Sequence, residues 1–412
     1  MRVYMVASTQ YFYLHHRFQK IADQLHAMGV PVTYIEQSYG WRAYLKGTRK
    51  GLLRNVIASL GYHLLALMTL LLPVRGSQRS RKSNQATTQG DFEIIEMPLV
   101  VPANRFNSAI LEKLNTTIYG HVLRRKVFPA MNDGEESVAL VDNPLWGIAL
   151  EKNDFTRVYY DCIDDASLYA GNASLKRFLE YERRLADISD AMFVAAQNLE
   201  EHLRSFNTTK PIYRIPNGVD GDWFQKRAAE SPQPDDLADI PRPIVGYVGT
   251  ISEWLGYKAI HAVADALPGI SFVFVGPIDF PERTAQLRSS PNIYWLGKKE
   301  YRDVPLYVAA FDVCWIPFGQ GRIVENTNPI KLFEYFALGK PVVTTPLIEV
   351  EQYREQGLVY VGGTDETLIE ALQTALGERD GDKRTRRAAV ADAHSWKTLV
   401  DRMKKVFGGE NG

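Results

Sequence analysis

The sequence predicts an α/β protein built from two parallel-sheet units, and three observations carry that reading. Apolar, β-rich runs closed by Gly or Pro alternate with amphipathic segments along almost the whole chain, the pattern of βα units. A chain of 412 residues is too long for one ordinary core. A joint, IPNGVDGDWF (215–224), and a polar, Pro-rich stretch, RAAESPQPDDLADIPRP (227–243), interrupt the series of strands near its middle.

In the second half the runs PIVGYVG (243–249), SFVFVG (271–276), NIYWLG (292–297), DVCWIP (312–317), PVVTT (341–345) and LVYVG (358–362) read as strands. Helical segments fall between them near 257–267, 281–289, 303–310, 329–338, 349–356 and 364–377. Several of these strands end in glycine, which lets a ligand approach the backbone at their carboxyl edge. The first half reads RVYMVA (2–7), PVTYIE (31–36), FEIIEMP (92–98), SVALVD (137–142), RVYYDC (157–162), AMFVA (191–195) and PIYRIP (211–216). Its helices fall near 14–28, 107–128, 173–187 and 197–206. The expected division is 1–218, 219–392 and a terminal segment 393–412. In that last segment SWKTLVDRMKKVF has the apolar spacing of an amphipathic helix and packs outside the second sheet.

Composition narrows the class. Apolar content of 45% and charged content of 23% suit a globular chain, and the 48 basic and 48 acidic residues cancel. The two cysteines, Cys162 and Cys314, sit on or beside buried strands, so no disulfide framework is expected. MRVYMVAS reads as a first strand, not as a leader peptide, and a cytoplasmic setting is expected. Residues 41–90 contain no acid, and basic clusters (Arg42, Lys46, Arg49, Lys50, Arg54; Arg75, Arg79, Arg81, Lys82) flank NVIASLGYHLLALMTLLLP. That run is short and interrupted for a membrane span. An interfacial element on the anionic inner face of the cell membrane fits best, against a buried core helix. Nucleic acid is a poor partner, because the cluster surrounds an apolar run and not stacking aromatics.

The stretch NPIKLFEYFALGKPVVTT (328–345) concentrates the chemistry. Asn328 is expected as N-cap, with Pro329 and Ile330 opening the helix and Gly339 closing it. Lys331 and Glu334 stand three residues apart on one face. A helix start beside a cation suits a diphosphate, and a carboxylate one turn on suits hydroxyl groups. A nucleotide sugar carries both.

Taken in order, HHRFQKIADQLHAMGVPVTYIE, PLVVPANRFNSAILEKLN, VYYDCIDDASLYAG, LEYERRLADISDAMFVAAQNLEEHL, IPNGVD, GYVGTISEW and NPIKLFEYFALGKPVVTTP resemble the GT-B glycosyltransferases. They resemble group 1, family 4-like enzymes of the bacterial polysaccharide-biosynthesis branch. The resemblance implies two Rossmann-like domains facing across a cleft. The first would take the acceptor, a glycan or lipid-linked glycan, and the second the nucleoside-diphosphate sugar. It implies transfer with retention, no metal and no cofactor beyond the donor co-substrate. Glu334 matches the second acid of the family's Glu-x(7)-Glu motif, which accepts from ribose, while Asn326 stands at the first with Glu325 one residue away. The family's basic pair falls on Thr250 and Leu255, with Lys258 and Arg322 out of register. Lys331, the amides of Gly249 and Thr250, and the 328–331 turn are therefore expected to stabilise the departing diphosphate. Lys298 lies where relatives hold the base. Asp161 is the expected proton acceptor, and Arg17, Gln19, Asp164 and Asp165 the expected acceptor contacts. Asp161, Asp164 and Asp165 also have the chemistry of a hard-cation site, or of a structural turn. His15 and His16 show no ligand spacing. A sugar-nucleotide epimerase of the same architecture and a non-catalytic synthase subunit are the alternative functions.

Overall fold

A computed structural model describes residues 1–8, 17–36, 92–97, 108–128, 131, 134–165, 175–230, 232–279, 284 and 290–409. The basic segment 41–90, His15, His16, residues 9–13 of the aromatic loop, PLVVPANRFN (98–107) and the expected helix near 281–289 apart from Thr284 lie outside them.

Two compact units share the chain. The first comprises Met1–Ala195, Leu199–Ile215 and Val400–Gly412, the second Ala196–Asn198 and Pro216–Leu399. In the first, strands β1 (Arg2–Ala7), β2 (Val32–Glu36), β3 (Phe92–Glu96), β4 (Ser137–Val141), β5 (Arg157–Cys162), β6 (Ala191–Val194) and β7 (Ile212–Arg214) form a parallel sheet in the order 3-2-1-4-5-6-7. In the second, β8 (Ile244–Val248), β9 (Ser271–Val275), β10 (Ile293–Gly297), β11 (Val313–Ile316), β12 (Val342–Thr344) and β13 (Val359–Val361) form another, ordered 10-9-8-11-12-13. Both are doubly wound. The direction of winding reverses between β1 and β4, and again between β8 and β11, which opens a crevice at the carboxyl ends there.

The central strands form where the sequence predicts because nearly all their side chains are buried, so continuous Val, Ile and Phe runs are tolerated on both faces; the outer strands β3, β7, β10 and β13 are mostly half-buried. The last helix, Trp396–Phe407, serves the first unit with its end. Arg157 Nη1 donates to the Phe407 carbonyl at 2.7 Å, Tyr159 Oη donates to the Val406 carbonyl at 3.1 Å, and the Phe407 ring lies 4.9 Å from that of Tyr159.

Two helices of ten or more residues were not predicted. Gly221–Glu230 replaces part of the expected turn and polar stretch, and the whole of 227–243 lies inside the second unit. Its anchor is the single buried ring of Phe224. Gly381–Ala393, GDKRTRRAAVADA, has no apolar stripe to betray it. It is held instead by Arg387, 0% exposed, whose guanidinium donates to the Leu358 carbonyl at 2.8 Å and to Glu378 at 2.7 Å. Removing one member of such a buried pair leaves the other charge uncompensated. Arg387→Ala should therefore lower the stability of the second unit by roughly 3–5 kcal/mol in denaturant unfolding, far more than loss of the exposed Arg354–Glu351 pair.

Candidate active site

At the winding reversal of the first sheet, β1 and β4 end side by side in Ser8 and Asp142. The Ser8 amide donates to Asp142 Oδ1 at 2.8 Å and its hydroxyl to Oδ2 at 3.0 Å. Asp142 is 9% exposed, and no cation pairs with it among the described residues. Burial pushes its carboxyl up to about 7, the two Ser8 bonds oppose this, and the charge of Asp161 adds to it. Asp161, on the neighbouring β5, is 0% exposed and is gripped by Arg17 at the start of the first helix: Nε to Oδ2 and Nη2 to Oδ1, both 2.9 Å.

That grip corrects two expectations. A bidentate guanidinium–carboxylate pair occupies both partners. Asp161 is thus not an available proton acceptor, and Arg17 is not presented to an acceptor phosphate. Gln19 and Asp165 are buried, and Asp164 is exposed. The carboxylate that the edge does present, Asp142, was missed. Its only trace in the sequence is the lone acid ending SVALVD, and nothing there says that β4 lies beside β1. Among the described residues no group of three or more His, Cys, Asp and Glu side chains is placed to hold a metal ion.

In the second unit the turn after β8 is shaped by glycine. Gly249 has φ +151° and donates its N–H to the Val275 carbonyl at 2.8 Å. A β-carbon on Gly249 would collide with Lys331 Cε and lie 2.6 Å from Nζ, so the lysine passes where a side chain would stand. The helix Ile330–Ala337 aims it there: Tyr335, four residues on and so on the same face, accepts from the Val248 amide at 3.0 Å. The Lys331 ammonium lies 5.7 Å from the centre of the Tyr247 ring. Burial lowers its pKa, and Glu334 opposes the shift. Tyr247 Oη in turn donates to the Thr250 carbonyl at 3.1 Å. Glu334 is buried, and Tyr301, stacked on Trp223 at 5.3 Å, donates to its Oε1 at 3.4 Å.

Lys331, Gly249, Thr250, Tyr247 and Glu334 are thus gathered by direct contacts or by a single helix. Lys298 stands exposed on the turn after β10. Leu255, where the resemblance placed a basic residue, is 3% exposed and part of the core. Asn328 is not the N-cap. Pro329 holds that position with no side-chain cap bond, and Ile330 is the first helical residue. Asn328 is buried one residue earlier, its Oδ1 accepting from the Asn217 amide at 3.0 Å, its carbonyl from Asn217 Nδ2 at 2.7 Å, and its Nδ2 donating to Glu349 Oε2 at 3.1 Å. Gly339 closes the helix as expected, at φ +66°, its N–H on the Phe336 carbonyl (2.8 Å) and that of Lys340 on Tyr335 (3.1 Å).

Two measurements check this geometry. Gly249→Ala should displace the Lys331 side chain from its path, a shift that a crystal structure of the variant would show. For Asp142 the folded carboxyl titrates at about 7 against 3.8 when unfolded, so the folded state holds the proton more tightly. Wild-type stability should then fall as pH rises from about 4 to about 7. Asp142→Asn, which keeps a donor and an acceptor for Ser8, should melt above wild type by a margin that grows across that window and is level beyond it.

Residues 242–378 match the family model described as Glycosyl transferases group 1. A Bacillus subtilis (strain 168) protein, provisionally named teichuronic acid biosynthesis glycosyltransferase TuaH, is 26% identical over 299 residues, which cover 68% of this chain and 74% of that protein. Among solved structures, HepE of Anabaena in complex with UDP and glucose superposes with a TM-score of 0.61 at 13% identity, covering 99% of each chain. The E. coli trehalose-6-phosphate protein bound with UDP-2-fluoro glucose gives 0.66 at 12%, again over 99% of each chain. Sucrose-phosphate synthase from Thermosynechococcus elongatus gives 0.63 at 13%, over 99% of this chain and 98% of that one. Residues 242–378 are a group 1 glycosyltransferase domain, and the chain is a glycosyltransferase of GT-B fold.

Proposed function

We propose that this glycosyltransferase moves a sugar from a nucleoside-diphosphate sugar to a growing glycan, carried on a lipid, in the synthesis of exopolysaccharide, capsule or another envelope polymer. The observation that carries the reading is Lys331, a half-buried cation laid across the side-chain-free face of Gly249 with Glu334 one turn further along its helix. The B. subtilis relative is named for polysaccharide synthesis, and the HepE structure holds UDP and glucose; both favour a nucleotide-sugar donor and a glycan product.

In this reading the bond between the sugar's anomeric carbon and the diphosphate oxygen breaks, and the acceptor hydroxyl forms the new one, with retention. The charge that develops on the diphosphate is met by Lys331 and by the backbone N–H groups of Thr250 and the 330–331 helix start, without a metal or a further cofactor. Glu334 accepts from the ribose hydroxyls and Lys298 lies beside the base. The acceptor hydroxyl's proton goes to Asp142, the carboxylate at the β1–β4 edge, in place of Asp161. Asp164 is the remaining acceptor contact of those expected. The work is done at the inner face of the membrane; among the described residues no helix is long and apolar enough to cross it.

A donor screen settles the reading: the chain incubated with membranes carrying endogenous acceptor and a panel of nucleotide sugars, with products read by mass spectrometry. Mass gain by the acceptor with one donor is expected; epimer formation without acceptor, or no turnover with any donor, would replace it. Lys331→Ala should reduce turnover by on the order of 10²-fold. Because burial holds the Asp142 carboxyl at about 7, kcat should climb as pH rises through that value. The limb should vanish in Asp142→Asn.

A further inference from the structure

The 328–331 turn is held by a buried polar chain that the reaction itself does not use. Glu349, on the turn after β12, is buried, and its two oxygens face different ways. Oε1 accepts from the Gln197 amide at 2.6 Å, and Oε2 from Asn328 Nδ2 at 3.1 Å. Asn328 passes the contact on through Oδ1 and its carbonyl to the amide and side chain of Asn217, at 3.0 and 2.7 Å. Asn217 belongs to the IPNG turn, so three loops distant in sequence meet on one buried asparagine. The side-chain amide of Asn328 is engaged through both its oxygen and its nitrogen.

We infer that Glu349, Asn328 and Asn217 are positioning residues for the donor site: they fix the backbone immediately before Ile330, and with it the direction in which Lys331 leaves the helix toward Gly249. The argument is one of degrees of freedom. Pro329 has no N–H, and the helix carries no side-chain N-cap, so nothing local fixes its entry angle. The clasp supplies that restraint from three residues away from the cation. A buried carboxylate accepting from an amide is a charge-assisted bond, strong enough to hold such a turn and costly to leave unmade. This inference rests on Lys331 being the diphosphate cation.

The test exploits the direction of each bond. Asn328→Asp sets two carboxylates face to face, and Glu349→Gln turns an amide toward an amide or a backbone donor. The double variant Asn328→Asp/Glu349→Gln restores a donor facing an acceptor at every contact. Calorimetry with UDP, GDP and ADP is run on the full chain, with circular dichroism to follow folding. Each single variant should weaken the diphosphate that wild type binds by about tenfold, and the double variant should return to within about threefold of wild type. Against a Lys331→Ala background Glu349→Gln should cost less than about twofold, since the clasp acts through the lysine. A general loosening of the fold would cost the same in both backgrounds and overturns the inference. So does wild-type affinity in the single variants, or a double variant no tighter than they are. If wild type binds none of the three nucleotides, the donor-site reading falls and takes this one with it.

Discussion

The second unit of this protein depends on a missing side chain. Lys331 runs through the volume that a β-carbon on residue 249 would fill. The parallel sheet then needs a second concession, because a β-carbon on Gly276 would collide with the Gly249 carbonyl where β8 and β9 end together. Two glycines at adjacent strand ends, both at φ +151°, make a floor of bare backbone. A cation whose pKa is lowered by its own burial lies on that floor. A desolvated ammonium is held at a cost in stability.

The first unit treats its charges differently. Arg17 and Asp161 satisfy each other in a buried bidentate pair and tie the first helix to β5. Among the described residues Asp142, one strand away, receives the amide and hydroxyl of Ser8 and no cation, and its carboxyl rises to about 7. Burial without a paired cation raises the proton affinity of Asp142. This carboxylate sits where the sheet's winding reverses, the edge at which doubly wound folds bind ligands.

Elsewhere the fold uses polar contacts where apolar ones would be simpler. The Asn328 clasp and the Arg387–Glu378 pair both replace local signals that the sequence lacks: an N-cap in the first case and an apolar stripe in the second. The first hid the role of Asn328 from a reading of the sequence, and the second hid its whole element. Asn328 looks like a cap because Asn before Pro so often is one, yet its side chain reaches loops more than a hundred residues upstream and about twenty downstream. Gly381–Ala393 looks like a solvated linker because its buried residues are an arginine and an alanine.

The sequence alone determined the strands, most helices, the doubled parallel architecture and the group of residues from Asn328 to Gly339. These follow from burial on both faces of parallel strands and from short-range cap and turn chemistry, which neighbouring residues record. Tertiary structure alone decided which chemical groups are available. Whether Asp161 or Asp142 carries an uncompensated charge depends on which strand lies beside which and where Arg17 comes to rest. Whether Lys331 meets Gly249 depends on a helix packing against a strand some eighty residues earlier. Electrostatics act through space, and distance along the chain does not report distance in space.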